Sequence, residues 1–446
     1  MTNKKQLKLG AFFMLPGHHA VAWRHPEAKA ENVLNFEFIK EQALTAERGK
    51  FDMVFLADGV AAGATSAAFG KEHSASFEPF TLLSSLAAVT KNIGLVGTVS
   101  TTYTEPFNLA RQFASLDHLS KGRAGWNVVT SGGKEAAANF GQDELLHAKR
   151  YERAHEFVDV VKKLWDSWEE DAILFNQEEA QFLDPSKVHF INHTGKWLSV
   201  AGPLNIPRPV QGHPVVVQAG SSDSGKELAA ETAEVIFTAW QTIEEAKDFY
   251  RDVKGRMAKY GRSPEELKIM PGIFPVIGDT EEEAKEKYQQ LVDLIPESIG
   301  VARLSSQLGV DLRQYPVDGP LPDLPHLNEI NGNKSRFQLV KDLADRENLT
   351  IRQLYQRTAG GRGHREIIGT PVQIADQLQE WFENEAADGF NIMPPVFPSG
   401  LNDFVEKVIP ELQKRGIFRN EYEGTTLREN LGLKTPVSQF AKVTLQ

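Results

Sequence analysis

The sequence predicts a single α/β domain, a (β/α)8 TIM barrel with long insertions after its fourth and seventh strands. Eight short runs rich in Val, Ile and Phe are almost continuously apolar, as parallel strands buried on both faces should be. Segments with helical apolar periodicity lie between them. Strand–helix alternation repeated eight times fits a parallel sheet closed into a ring. The 446 residues exceed an average domain, but barrels reach this length as one unit, so 1–446 is read as one domain with insertions at about 132–213 and 279–389.

The expected strands are Leu7–Phe13, Met53–Gly59, Ile93–Ser100, Ala124–Thr130, Pro214–Gly220, Val235–Trp240, Ile269–Ile277 and Phe390–Pro394. Phe36, Ile39, Ala43 and Ala46 share one helix face, with Gly49 as the C-cap. Ala154, Phe157, Val158, Val161, Leu164 and Trp165 form a second stripe. Roughly 85 residues separate the fourth and fifth strands and roughly 110 the seventh and eighth. The second insertion holds a Pro-rich stretch, Tyr315 to Pro325, and the segment TAGGRGHRE from Thr358 to Glu366. It is either a lid over the barrel or a surface excursion that supports oligomer contacts.

A formal charge of −11 repels phosphate backbones and argues against a nucleic-acid partner. With no cysteine there is no disulfide, thiolate metal site or cysteine nucleophile. The opening MTNKKQLKLGAFF is basic and then apolar, but its apolar stretch is too short for a signal peptide, and no membrane-spanning run occurs. A cytoplasmic protein without membrane contact is expected.

Barrel chemistry sits where the strands end. FLADG closes the second strand and places Asp58 at the rim, as a helix cap or a ligand contact. The third strand ends in the hydroxyls Thr98, Ser100, Thr101 and Thr102, which are either plain strand formers or, with Gly97 leaving room beside the backbone, the approach for a flat ligand. Asn127 interrupts an apolar fourth strand, and a buried amide needs partners for both its donor and its acceptor, supplied either by a ligand edge or by the protein around a structural Asn. In VVVQAGSSDSG, Ser221 and Ser222 lie between a strand end and a helix N-terminus, either a phosphate cradle or a plain helix cap. His147 and Tyr151 share a helix face, where they either meet one ligand or are simply exposed. No dinucleotide or nucleoside-triphosphate loop is present. No metal is expected: His18 and His19 are adjacent on an extended segment, which would point them to opposite faces.

Together these segments resemble the bacterial-luciferase-like flavin monooxygenases, in the branch of the nitrilotriacetate, dibenzothiophene-sulfone and long-chain alkane enzymes. The resemblance is carried by AWRHPE, KFDMVFLADG, STTYTEPFNLARQFASLDHLSKGRAGWNVVTS, RYERAHEFVDVVKKLWDSW, HTGKWLSVAGPLN, VVVQAGSSDSG, DGFNI and the tail from VIPELQKRGIFR to TLREN. It spans nearly the whole chain except about 297–366. It implies reduced FMN as cofactor, O2 as co-substrate and a separate NAD(P)H:flavin reductase as partner. Asp58 matches the acidic residue beside the flavin ring, and Thr98 and Asn127 the polar residues beneath it. His147 and Tyr151 match the pair near ribitol and phosphate, and Ser221 and Ser222 the phosphate turn. The alkane-oxidising members carry a cysteine where this chain has MLPGHH, so alkane hydroxylation does not follow.

The resemblance implies a two-component monooxygenase and a homodimer or homotetramer. His18, His19 and Asn127 are the candidates for a catalytic role. Arg24, His25, Arg362 and Arg365 are candidate substrate ligands, because guanidinium groups suit carboxylates; the alternative is surface charge. They point to a small anionic organosulfur or amino-acid-like compound, such as an S-modified N-acetylcysteine, with an aminopolycarboxylate as the alternative. The rivals from other classes are a metal-dependent barrel hydrolase and a non-catalytic flavin-binding barrel.

Overall fold

A computed structural model describes residues 5–62, 75–326 and 334–441. All eight expected strands form: β1 Lys8–Phe13, β2 Met53–Leu56, β3 Gly94–Ser100, β4 Ala124–Val129, β5 Val215–Gln218, β6 Val235–Thr238, β7 Lys268–Ile277 and β8 Gly389–Ile392. They pair in parallel around a ring that closes where β8 meets β1 and where β6 meets β7. The second and sixth strands stop earlier than the sequence suggested, so Asp58 and Trp240 lie in the loops beyond them.

The helices form where caps and apolar stripes coincide. Asn35 caps Phe36–Arg48 by accepting from the Glu37 N–H, and Ile39, Ala43 and Ala46 are buried beneath it. Helix His147–Trp165 buries the expected stripe from Ala154 to Trp165 and packs between helices Pro106–Ser120 and Asp223–Thr232.

Alternation along the strands produces two cores. The larger fills the layer between strands and helices, including Trp126, Phe157 and Trp165. The other lies inside the ring, from Phe12, Phe55 and Val96 to Leu427, Leu431 and Leu433 of the tail. The tail thus plugs the barrel at the end where the strands begin. Gly94 makes room for it, since a Cβ there would lie 2.5 Å from Leu427.

Two features of the insertions were not expected. Strand Arg365–Gly369 returns from the second insertion and pairs in parallel with the outer half of β7, Ile273 opposite Arg365. Helices Glu297–Leu308, Lys334–Glu347 and Ile351–Ala359 bury a small core of their own around Leu304, Leu308, Leu343 and Leu354. No described helix is long and apolar enough to cross a membrane.

The plug should carry much of the barrel's stability. Leu427 is fully buried, so Leu427→Ala should cost about 2–5 kcal/mol. Urea unfolding followed by tryptophan fluorescence measures this; a loss below about 0.5 kcal/mol would show that the plug is dispensable.

Candidate active site

Strand parity decides which side chains face the barrel axis at the C-terminal mouth. Phe12, Phe55 and Phe237 meet there at centroid separations of 5.0, 5.5 and 5.7 Å, two of the three pairs edge-to-face. They make an apolar floor. Above it stands a polar pair from adjacent strands, with Thr98 of β3 in register with Asn127 of β4.

Their hydrogen bonds have a fixed sense. The Thr98 hydroxyl donates to the Leu56 carbonyl at 2.7 Å, so its lone pair accepts from Asn127 Nδ2 at 2.8 Å. This orients the amide and leaves Asn127 Oδ1 buried without a donor. A buried acceptor held this way is built for a ligand N–H.

Sequence reasoning missed Asn391, which carries the same signal: an amide inside the apolar strand GFNI. It is 4% exposed and its Oδ1 also lacks a partner. Gly10 on the neighbouring strand admits it, since a Cβ there would sit 2.6 Å from that oxygen.

The histidines after β1 correct the sequence reading. His18 and His19 lie in a bend beyond the strand end, not on an extended segment, and both are fully buried. His18 Nε2 bonds the Phe12 carbonyl at 2.9 Å, and its Nδ1 faces Arg362 Nη2 at 2.9 Å. A carbonyl only accepts and a guanidinium only donates, so His18 is neutral with its proton on Nε2. His19 is held neutral by burial, helped by the charges of Arg303 and His25, and its pKa falls to about 3.

The segment Thr358–Glu366 comes to the mouth. Arg362 and Gly363 take left-handed backbone, φ 49° and 89°, which turns the chain inward. Arg362 then reaches His18 and Met14 Sδ, and the His364 ring stacks on Phe237 at 5.0 Å. Gly272 leaves space for that stack. Buried Glu366 holds the turn, accepting from the Gly361 N–H at 2.8 Å, the Tyr288 hydroxyl at 2.9 Å and Arg357 at 3.2 Å.

The other expected ligands are placed as follows. Asp58 is half-buried in the loop after β2, and burial, with Glu78 nearby, raises its pKa. The first described helix after it begins at Pro79 and is capped by Glu78. Ser222 caps helix Asp223–Thr232 by accepting from the Gly225 N–H at 3.2 Å, and Ser221 is half-buried beside it. His147 opens its helix with its ring 4.8 Å from that of Tyr151. The hydrogen bond between His155 and Glu231 lies eight residues into both helices, so His147 and Asp223 begin at the same level of the rim. Three expected substrate ligands are engaged elsewhere. Exposed Arg24 donates to the Leu294 carbonyl, and His25 Nδ1 accepts from the Glu27 N–H. Arg365 bonds the Gln241 carbonyl and Gln377 and lies over the Trp381 ring. Among the described residues no group of three or more His, Asp or Glu is disposed to hold a metal ion.

Fold and site together define a barrel enzyme whose mouth offers an apolar floor and fixed hydrogen-bonding atoms to a polar ligand. The sequence profile described as luciferase-like monooxygenase matches residues 12–388, and the chain belongs to that family of flavin monooxygenases. It is 56% identical to N-acetyl-S-(2-succino)cysteine monooxygenase of Bacillus subtilis (strain 168), over 99% of this chain and 100% of that one. It is 54% identical to nitrilotriacetate monooxygenase component A of Aminobacter aminovorans, with the same coverage of both chains. A solved riboflavin lyase, holding modified FMN and riboflavin, matches with a TM-score of 0.84 at 33% identity, covering 97% of each chain.

The depressed His19 pKa gives a pH dependence of known sign. The unfolded chain takes up the proton near pH 6.5 and the folded one only near 3, so this stability is complete above about pH 6.5 and lost as pH falls toward 3. His19→Gln should flatten that part of the acid limb when thermal midpoints are measured against pH; an unchanged limb would mean that His19 does not titrate in this window.

Proposed function

We propose that the chain is the oxygenase component of a two-component system that uses reduced FMN and O2 to oxidise a small anionic organosulfur compound of the S-modified N-acetylcysteine class, with cleavage of a C–S bond. The observation that carries the cofactor is Asn127 Oδ1, an acceptor fixed by Thr98 and unpartnered above an apolar floor. A flavin ring edge brings an N–H to such an atom. The substrate reading rests on the 56% identical relative and on Arg362 at the mouth.

Asp58, Thr98 and Asn127 would hold the ring, His147 and Tyr151 the ribityl chain, and Ser221 and Ser222 the phosphate, with free backbone N–H groups of the helix they open. When bound, the reduced flavin supplies the chemistry that activates O2. The chain's own residues do the rest. Phe12, Phe55 and Phe237 exclude water from the floor. Arg362 pairs with a substrate carboxylate while anchored to His18. Neutral His18, its proton committed to the Phe12 carbonyl, keeps that guanidinium oriented. A separate NAD(P)H:flavin reductase supplies the reduced cofactor, and the oxygenase works as a homodimer or homotetramer.

The test is oxygen uptake by the purified chain with a flavin reductase, FMN and NADH. N-acetyl-S-(2-succino)cysteine should be consumed in an O2-dependent reaction. Faster turnover of nitrilotriacetate would favour an aminopolycarboxylate substrate and C–N cleavage, the reading that the 54% identical relative supports. FMN binding without substrate-dependent uptake would make the chain a flavin carrier, and no flavin binding would refute the proposal.

Two substitutions separate cofactor from substrate. Thr98→Val removes the hydroxyl that orients Asn127, and the Kd for reduced FMN should rise about tenfold with the circular dichroism unchanged. Arg362→Met should raise KM for the anionic thioether about 10- to 100-fold and leave the flavin Kd unchanged. Parallel effects on both constants would place Arg362 on the cofactor.

A further inference from the structure

A cavity of about 500 Å³ lies at the end of the barrel opposite the mouth. Lys8 at the start of β1 and Lys268 at the start of β7 line it, together with Arg419 and Asn430 of the tail. Two buried donors there have no acceptor. Arg419 is 3% exposed; its Nη2 pairs with Asp52 and the Asn430 carbonyl, while its Nη1 is unpartnered. Asn430 is 4% exposed; its Oδ1 accepts from the Gly424 N–H, while its Nδ2 is unpartnered.

The lysines add to the imbalance. Lys8 Nζ donates to the Asn430 carbonyl at 2.7 Å and Lys268 Nζ to the Glu265 carbonyl at 2.8 Å. Neither forms an ion pair with a carboxylate among the described residues. Burial lowers the pKa of both; the charge of Asp52 opposes this at Lys8 and that of Asp388 at Lys268, while Arg419 and Lys268 add to it at Lys8. The most buried carboxylate at the cavity is already engaged. Asp388 takes Lys5 and Lys254 at 2.9 Å each, with the Ile269 N–H and the Tyr250 hydroxyl. Glu429 takes the N–H groups of Thr425 and Thr426, and Glu265 and Glu423 are exposed at the margin.

The geometry points to an oxyanion site at the base of the barrel, where a phosphate group accepts from Arg419 Nη1, Asn430 Nδ2 and the two lysines and ties the C-terminal tail to β1 and β7. The lining carries four cations, Lys5, Lys8, Lys268 and Arg419, and four carboxylates, of which Asp388 is taken by Lys5 and Lys254 while Glu265, Glu423 and Glu429 are exposed, so phosphate oxygens would supply the acceptors that the two unpartnered buried donors lack. The site is independent of the flavin mouth.

The experiment is calorimetric titration of inorganic phosphate into the full chain, with and without saturating FMN, at constant ionic strength set with chloride. Saturable binding of a single phosphate that FMN does not displace, and a rise in melting temperature over the chloride control, are expected. Lys268→Met and Asn430→Asp should each weaken phosphate binding by about tenfold or more, with circular dichroism unchanged. ADP tested in place of phosphate identifies the source: tighter binding indicates a nucleotide phosphate, weaker binding the free ion. Absence of saturable binding, an affinity equal to wild type in both folded variants, or displacement by FMN would overturn the proposal, leaving a cavity filled by water or binding at the mouth.

Discussion

Closure of the eight-stranded ring is the constraint on which the rest depends. Once β8 pairs with β1 and β6 with β7, each strand must send alternate side chains to the axis and to the helices. That parity carries Phe12, Phe55, Thr98 and Asn127 inward, and Trp126, between Gly125 and Asn127, outward into the helix layer. A one-residue slip in β4 would exchange Trp126 and Asn127, and would lose both the layer packing and the acceptor at the mouth. The interior is too narrow to hold every inward side chain, so glycines stand where a neighbour crosses: Gly10 beneath Asn391, Gly94 beside Leu427, Gly272 beside His364.

Closure also fixes where buried charge is tolerated. At the base of the barrel, Arg428 of the tail is 1% exposed, and both of its terminal nitrogens are engaged by Glu234 and the carbonyls of His213 and Lys434. Arg123 is satisfied by backbone carbonyls and Thr90. Buried guanidinium groups with partners for their donors pin the ends of strands and tail.

The strands were legible because burial on both faces writes an unbroken apolar run, and all eight lie within a few residues of where VVVQ, GFNI and their counterparts place them. Asn127 is legible as a polar residue inside such a run; Asn391 writes the same signal in a shorter strand, where one amide among four residues is harder to tell from a strand end. What lay beyond reach was direction in irregular backbone. Arg362 and Arg365 are three residues apart, yet one faces the mouth and the other bridges Gln241 and Gln377, because Arg362 and Gly363 turn left-handed and Arg365 starts a strand. Periodicity says nothing about such a turn. The same holds for His18 and His19, where a bend placed both rings in the interior.

The two relatives compared above differ by two points of identity and carry different substrate names, so overall likeness is a poor guide to the substrate. The physical discriminator must be local. The strands supply the floor and the fixed amides, Asn127 and Asn391. The second insertion supplies the groups above them: Arg362 against His18 and Met14, and His364 on Phe237. These are held by Glu366, whose three donors come from Gly361, Tyr288 and Arg357, all on segments outside the ring. A substitution in that network can re-aim Arg362 while leaving Thr98 and Asn127 undisturbed. If Arg362 meets the substrate as proposed, recognition can change in this fold without rebuilding the barrel, and the turn from Gly361 to His364 is where that change would be made.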